Sequence, residues 1–246
     1  MNQILVKDKL YVTPRVKKKK IIYKSIFILS VIVAITLLVV YSYTEITRLM
    51  GELNSKDILD DFSNIESVDS TIADDDTIVV ALSNESANVT QTQTTKKTEP
   101  KVLSEFNKVY KTSKGTEYKI DSILNIPALN IKYPVIGEST MELLKISLCK
   151  FWGSDANAVG NYCIVGHNYD GKDIFFGKLH KLQNGDVIEL QDKTGTTLKY
   201  KVYNKFIVEP TDVACTSQLT NGKKEVTLIT CSEGGKTRLI VKCREV

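Results

Sequence analysis

Residues 25–43 form a run of nineteen uncharged amino acids, most of them isoleucine, valine or leucine. At about 1.5 Å per residue, a helix of that length matches the hydrocarbon thickness of a bilayer. Tyr23, Tyr41 and Tyr43 stand near the ends of the run, where interfacial aromatic residues are typical. The run therefore predicts one transmembrane helix over residues 21–43.

The distribution of charge indicates how this helix is oriented. Residues 1–24 carry eight lysines and arginines and one acid. A basic segment of this kind stays in the cytoplasm, and the chain beyond the apolar run is exported. We expect a single-pass protein of the cell membrane, with residues 1–20 as a cytoplasmic tail and the chain after the membrane helix outside the cell.

Two other interpretations of the N-terminus are weaker. A cleaved signal peptide would have a shorter apolar segment ending in small residues, unlike the sequence over 41–45. A nucleic-acid or nuclear-localisation role for the basic run over 15–20 is unnecessary, because the adjoining membrane helix already explains it. We expect no nucleic-acid partner.

The composition changes after the apolar run. Residues 52–99 hold eleven acids and three bases and few aromatic side chains. A stretch of this kind cannot bury enough apolar surface to fold alone. We predict a flexible acidic stalk over residues 44–102, in which 44–59 can continue the membrane helix, and a folded domain over 103–246.

Within the folded domain, short apolar runs alternate with turn residues. Strands are predicted over 119–126, 131–136, 162–165, 186–190, 197–208, 225–230 and 237–242, and short helices over 139–147 and 174–182. Many short strands at close spacing with little helix favour a β-barrel or a sandwich.

Five cysteines are present, so at least one cannot pair within the chain. Cys163 and Cys243 lie in apolar runs, where a free cysteine acts as a small hydrophobic residue. Cys149 and Cys215 have no histidine or arginine nearby in the sequence and are interpreted as structural. No spacing of cysteine and histidine resembles a zinc site.

Cys231 differs from the other four because it follows the apolar run 226–230 and precedes a polar, glycine-containing turn. Arg238 begins the next predicted strand, which places a guanidinium beside the thiol. A nearby cation favours the nucleophilic thiolate, and arginine can also hold a developing oxyanion. Taken singly, Cys231 could be a buried structural thiol, and Arg238 a surface partner of Glu233 or Glu245.

Only two histidines are candidates for the base. His167 follows an apolar strand through Gly166, which predicts a position at the rim of the barrel. His180 lies between two lysines on a predicted helical turn and is interpreted as a solvated side chain. His167 is therefore the predicted catalytic histidine.

These motifs together resemble the sortases, the cysteine transpeptidases of Gram-positive cell surfaces. The sequence over 227–231 matches their TLxTC signature, and Gly166-His167 and Arg238 resemble their catalytic histidine segment and arginine. The segment over 210–213 resembles the start of the loop that flanks their sorting-signal groove. The resemblance runs from about residue 118 to the end. It implies a mostly-β, closed barrel of about eight strands with short helices, after one N-terminal transmembrane helix.

The resemblance also implies a reaction. Sortases cut an LPxTG-like sorting signal of an exported protein between threonine and glycine, and pass the acyl group to an amine on a peptidoglycan precursor or pilin. Cys231 would be the nucleophile, His167 the general acid and base, and Arg238 the oxyanion stabiliser. Val213, Thr227 and Thr230 would contact the substrate.

Departures from the family pattern narrow the subclass. The stretches 151–161 and 213–220 correspond to a calcium pocket in some sortases but hold only Asp155 as an acid, so we expect neither calcium dependence nor any other metal or cofactor. The short segment 211–224 and an end soon after the last strand, without a C-terminal membrane helix, favour a class A-like or D-like enzyme.

Two alternatives remain open. A surface cysteine hydrolase or protease would use the same three residues with water as the acceptor, and only product analysis with an added amine separates it from a transpeptidase. A surface binding module with a relict site predicts that Cys231→Ala leaves the phenotype unchanged.

Overall fold

The computed structural model describes residues 14–69, 105–169 and 172–246, which fall into two compact units, one up to Leu49 and one from Met50 to Val246. Helix α1 covers Pro14–Asp69 and contains the whole predicted span 21–43. Its apolar part is exposed, and it is long and apolar enough to cross a membrane. The hydroxyls of Ser30 and Thr36 donate to backbone carbonyls one turn earlier, at 2.8 Å in both cases, which satisfies two polar groups within the apolar segment.

The second unit is built from short strands, as the alternation of apolar and turn residues predicts. The described strands are β1 (Tyr110–Lys111), β2 (Glu117–Tyr118), β3 (Ile120–Ile126), β4 (Ile131–Ile136), β5 (Leu148–Trp152), β6 (Gly160–Gly166), β7 (Val187–Gln191), β8 (Thr197–Val208), β9 (Lys224–Ser232) and β10 (Thr237–Glu245). The short helical elements among them are 3-10 turns of three residues each, such as Leu143–Lys145, Leu179–Lys181 and Ala214–Thr216.

Eight of these strands close into a barrel in the order β10-β8-β7-β3-β4-β5-β6-β9. This confirms the predicted closed barrel of about eight strands. Most neighbours are antiparallel, whereas β4 with β5 and β6 with β9 are parallel. The parallel pairing of β6 with β9 brings the ends of these two strands to the same rim of the barrel.

Side chains on β9 and β10 alternate between two apolar clusters, as expected for a sheet with period two. Leu228 and Val241 belong to the large cluster that fills the barrel. Ile229 and Ile240 belong to a smaller cluster with Cys163 and Cys215. The outer face of β6, β9 and β10 is therefore apolar, and the turn that carries Cys215 covers one end of it. The ends of these strands lie at the rim of the barrel.

Part of helix α1 packs against the barrel within the second unit. Ile58 and Phe62 are buried with Phe106 and residues of β3. Ser55 donates to the carbonyl oxygen of Ile146. Gly51 lies so close to the carbonyl oxygen of Lys145 that a Cβ there would collide with it. Residues 50–62 are thus an ordered helical segment of the folded unit.

The predicted stalk over 44–102 falls partly on this helix, while 70–104 lie outside the described residues. The structure therefore adds a packed segment that the composition did not indicate. The division of the chain into a tail, a membrane helix, a stalk and a domain from 103 stays a prediction.

Candidate active site

Three strand ends meet at one rim of the barrel. The parallel register of β6 and β9 pairs Gly166 with Thr230, so the next residues, His167 and Cys231, follow side by side. The antiparallel register of β9 and β10 pairs Cys231 directly with Arg238. The predicted nucleophile therefore lies between the strand end that carries the predicted histidine and the one that carries the predicted arginine.

The alternation of side chains places Cys231 and Arg238 on the same face of the sheet. Cys231 lies two residues after Ile229 and Arg238 two residues before Ile240, and both isoleucines belong to the outer apolar cluster. Residues directly opposite each other in an antiparallel pair project to the same side. The thiol and the guanidinium thus both point to the outer face of the barrel.

The backbone of Cys231 is oriented towards β6. Its carbonyl oxygen accepts a hydrogen bond of 2.8 Å from Nδ2 of Asn168. Because the N–H and C=O of one strand residue point to the same side, Cys231 forms a non-hydrogen-bonded pair with Arg238. In such a pair the Cα atoms are about 4.5 Å apart and the side chains approach most closely.

Arg238 is half-buried, and its own turn holds it in place. Its Nη1 donates to the carbonyl oxygens of Gly235 and Thr237, at 2.9 and 3.0 Å. The turn is tight, since Glu233, Gly234 and Gly235 have φ values of 49°, 65° and 91°. Both bonds use one nitrogen of a group with five N–H donors, so the guanidinium can be fixed and still donate to a substrate.

His167 is half-buried at the end of β6. Burial lowers the pKa of its imidazole below the ordinary 6.5, and the charge of Lys145 adds to the same direction. Its ring centroid lies 5.6 Å from that of Tyr169. A histidine with a lowered pKa is mostly neutral at pH 7 and can accept a proton.

A sortase-domain family model matches residues 124–246, half of the chain. The chain belongs to the sortase family. Among curated relatives, YwpE of Bacillus subtilis (strain 168), which bears a sortase name, is 39% identical over 85 residues, which are 34% of this chain and 80% of that protein. Family membership makes the chain a cysteine transpeptidase.

Solved sortases share the likeness. A Clostridium perfringens sortase D5 transpeptidase is 25% identical with a TM-score of 0.48, over 52% of this chain and 79% of that chain. Sortase A from Corynebacterium diphtheriae is 23% identical with a TM-score of 0.49, over 56% of this chain and 72% of that chain.

The predicted substrate-contacting threonines of this sortase are buried. The hydroxyl of Thr227 donates to Oδ1 of Asn161 at 2.6 Å, and that of Thr230 donates to the carbonyl oxygen of Gly166 at 2.7 Å. Both hydroxyls are engaged inside the fold, which suits a positioning role rather than a substrate contact. Val213, by contrast, is 62% exposed, at the start of the turn Ala214–Thr216.

The remaining thiols differ from Cys231 in their exposure. Cys149, Cys163, Cys215 and Cys243 are buried, whereas Cys231 is half-exposed. Burial raises the pKa of Cys149 and of Cys163 to about 12. Such thiols stay protonated and unreactive, so Cys231 is the accessible thiol of the chain. His180 is exposed on the turn Leu179–Lys181, as predicted.

Sequence reasoning missed the residues that close one end of the outer face. Nδ2 of Asn161 donates to the carbonyl oxygens of Cys215 and Ser217, at 2.9 and 3.1 Å. Oε1 of Gln218 accepts from the backbone N–H of Asn161 at 3.0 Å. These bonds fasten the β8–β9 connection against β6, and no local pattern connects the two segments.

Asp155 is the only acid in the two stretches, 151–161 and 213–220, from which calcium independence is predicted. Its exposed carboxylate forms an ion pair with Nζ of Lys150 at 3.1 Å. Among residues 14–69, 105–169 and 172–246, no three His, Cys, Asp or Glu side chains are grouped to hold a metal ion. Calcium independence stays a prediction.

Proposed function

We propose that this sortase is a membrane-anchored transpeptidase that cleaves an LPxTG-like sorting signal between threonine and glycine and transfers the acyl group to a cell-wall or pilin amine. The observation that carries the proposal is the register that sets Arg238 opposite Cys231, with His167 at the adjoining strand end. No other described thiol is both accessible and placed beside an arginine in this way.

In the first step, the neutral imidazole of His167 takes the thiol proton of Cys231, and the resulting thiolate attacks the carbonyl carbon of the threonine in the sorting signal. The carbonyl oxygen gains negative charge, and the guanidinium of Arg238 donates hydrogen bonds to it. Donors aimed at a developing oxyanion are worth about 2.7–4 kcal/mol each. The turn that holds Arg238 through Gly235 and Thr237 fixes this donor before the reaction.

In the second step, the threonine–glycine C–N bond breaks and a thioester to Cys231 forms. The imidazolium of His167 gives its proton to the departing glycine amine. The neutral imidazole then takes a proton from the acceptor amine as that amine attacks the thioester. A new amide forms and the sulfur leaves as a thiolate, which takes the proton back from the imidazolium, so both residues return to their starting states.

The sorting signal would lie on the outer face that leads to Cys231. Ile229 and Ile240 are buried in the outer apolar cluster beneath this face, whereas Val213 on the β8–β9 connection is exposed. A peptide with an apolar residue and proline before its threonine would contact Val213. Thr227 and Thr230 would act from beneath by holding β6 and β9 together.

The membrane helix would supply the setting for the reaction. We infer a cytoplasmic tail over 1–20 and a catalytic domain outside the cell, because the basic residues precede the apolar run. Tethering the enzyme in the layer that holds the exported protein and the acceptor raises their effective concentration.

The subclass is a further part of the proposal. The connection between β8 and β9 spans residues 209–223 and holds only the short turn Ala214–Thr216. A connection of this size favours a class A-like or D-like sortase. The chemistry makes it a thiol-dependent endopeptidase whose physiological acceptor is an amine.

The test uses the full-length protein in detergent with an LPxTG-like peptide, with and without an added amine. A transpeptidase releases the glycine-containing fragment and joins the threonine end to the amine. Cys231→Ala should be inactive in this assay. Its matched control, Cys149→Ala, removes a buried thiol of a different cluster and should retain activity. Threonine-end acid as the sole product at saturating amine would favour the hydrolase, and peptide left uncut would overturn the proposal.

A further inference from the structure

Asn168 directly follows His167 and reaches the strand that carries Cys231. Its side-chain Nδ2 donates to the carbonyl oxygen of Cys231 at 2.8 Å. The last backbone pair between β6 and β9 is Gly166 with Thr230, one residue before Cys231. The amide therefore extends the connection between the two strands to the residue that carries the thiol.

The backbone of Asn168 is itself held in place. Asn168 forms an isolated bridge with Phe175, and the N–H of Phe176 donates to the carbonyl oxygen of His167 at 3.1 Å. Phe175 has a φ of 48°, which a bulky residue adopts only when its surroundings require it. Its buried ring packs against that of Tyr133, with centroids 5.1 Å apart. The bridge to Phe175 and the bond to Phe176 thus hold the backbone from which the amide is presented.

Two side-chain bonds cross between the strands in opposite directions. The hydroxyl of Thr230 on β9 donates to the carbonyl oxygen of Gly166 on β6. The amide of Asn168 donates in return to the carbonyl oxygen of Cys231. His167 lies between Gly166 and Asn168, so both of its chain neighbours are bonded to consecutive residues of β9.

Building on the proposed function, we propose that Asn168 is a positioning residue, whose amide holds the backbone of Cys231 in register with that of His167. The imidazole must reach the nitrogen that leaves or enters at the acyl carbon on the sulfur of Cys231. A misplacement of about 1 Å costs about 10²-fold in rate. Asn168 acts through His167 and Cys231, so its loss lowers kcat and leaves KM nearly unchanged.

The experiment compares two variants of the full-length protein in the peptide-transfer assay. Asn168→Ala removes the amide and should lower kcat about 10- to 100-fold, with KM within about twofold. The control is Asn125→Ala, because Nδ2 of Asn125 also donates to a partner on a neighbouring strand, Oε2 of Glu189 at 2.8 Å. Since β3 is four strands from β9 in either direction around the barrel, this control should keep its kcat.

Asn168→Asp keeps the shape of the side chain but cannot donate when ionised. It should lose as much kcat as the alanine variant. Its negative charge beside the imidazole should also move the limb of the pH profile that belongs to His167 to higher pH, which Asn168→Ala does not do. A side chain at position 168 that lies away from the imidazole would give no such difference between the two variants.

The result that overturns the inference is a kcat within threefold of wild type in the folded aspartate variant, or a kcat loss matched by an equal loss in Asn125→Ala. Failure of the proposed function looks different. In that case the wild type leaves the peptide uncut, or Cys231→Ala cuts it as well. Active wild type, inert Cys231→Ala and fully active Asn168 variants would reject the positioning role alone.

Discussion

Cys231 and Arg238 face each other directly across the antiparallel pair of β9 and β10. Only the polar turn over 232–237 separates them in the chain. The thiol and the guanidinium are therefore held by local structure, a hairpin that ends at the rim of the barrel. The histidine comes to the same rim from a distant part of the chain, through the parallel pairing of β6 with β9.

Arg238→Lys should lower kcat/KM about 10²- to 10³-fold, the range seen when one oxyanion donor is lost. A lysine keeps the charge but not the planar fork that bonds its own turn and the substrate together. Steady-state rates with a sorting peptide measure the effect. Arg244→Lys is the control on the same strand, because Arg244 pairs with Glu225 at the other end of β10. Equal activity in the two variants would remove Arg238 from the mechanism.

Cys231→Ala should abolish turnover and change the free energy of unfolding by less than about 1 kcal/mol. The thiol is half-exposed at a strand end, so little packing is lost with it. Thermal unfolding alongside the activity assay separates the two effects. Cys163→Ala, at a fully buried position, should lower Tm more than Cys231→Ala does. The reverse order of stability would mean that Cys231 is a packed structural thiol.

The lowered pKa of His167 predicts how stability depends on pH. The pKa is about 6.5 in the unfolded chain and lower in the folded one, so between the two values the unfolded state binds more protons. The contribution is complete above pH 6.5 and is lost as pH falls through the folded pKa. Wild-type Tm should therefore drop more steeply between pH 7.5 and 5 than that of His167→Gln. An unchanged slope in that variant, or the same flattening in the exposed His180→Gln, would contradict this origin.

Gly51→Ala tests the helical segment on the barrel. In an exposed helix this change stabilises by about 1 kcal/mol. Here the added Cβ would collide with the backbone carbonyl oxygen of Lys145, so we expect lower Tm and faster proteolysis near residue 51. Asn54→Ala, on the exposed side of the same helix, should be neutral or stabilising. A stabilised Gly51→Ala protein would show that the helix leaves the barrel in solution.

Calcium should leave kcat/KM unchanged. The acid that could contribute to a calcium pocket, Asp155, is already paired with Lys150. Activity measured in millimolar calcium and in a calcium chelator checks this. Stimulation by calcium that is lost in Asp155→Asn would show that the ion displaces the lysine and that the pocket exists.

Strands with strong local signals could be located from the sequence. The predicted strands over 131–136 and 197–208 coincide with β4 and β8, because alternation and turn residues are properties of neighbouring positions. The opposition of Cys231 and Arg238 follows from the same local information, since a short turn joins two recognisable strands. The family resemblance then supplied the closed barrel, which alternation alone did not distinguish from a sandwich.

Long-range pairings could not be predicted in this way. The bond between Asn168 and Cys231 joins residues 63 positions apart and depends on the parallel register of β6 and β9. The helix predicted over 139–147 is only a 3-10 turn, Leu143–Lys145, whose first N–H group donates to the hydroxyl of Thr140. Strand β5, which comes directly after it, had no alternating pattern of its own.

The ordered part of the predicted stalk was missed for a different reason. The composition over 52–99 is strongly acidic on average. Within it, Ile58 and Phe62 lie four positions apart, on one face of a helix, and are buried against the barrel. Averaging over the whole stretch concealed this short amphipathic segment.

The most direct test of the proposed mechanism is the mass, during turnover, of the protein fragment that contains Cys231. The full-length protein is mixed with an LPxTG-like peptide, quenched in acid and mapped by mass spectrometry. We predict an adduct equal to the peptide up to its threonine, located on Cys231 and released by hydroxylamine. Peptide cleavage with no adduct on Cys231, or with the adduct on another residue, would contradict the assignment of Cys231 as the nucleophile.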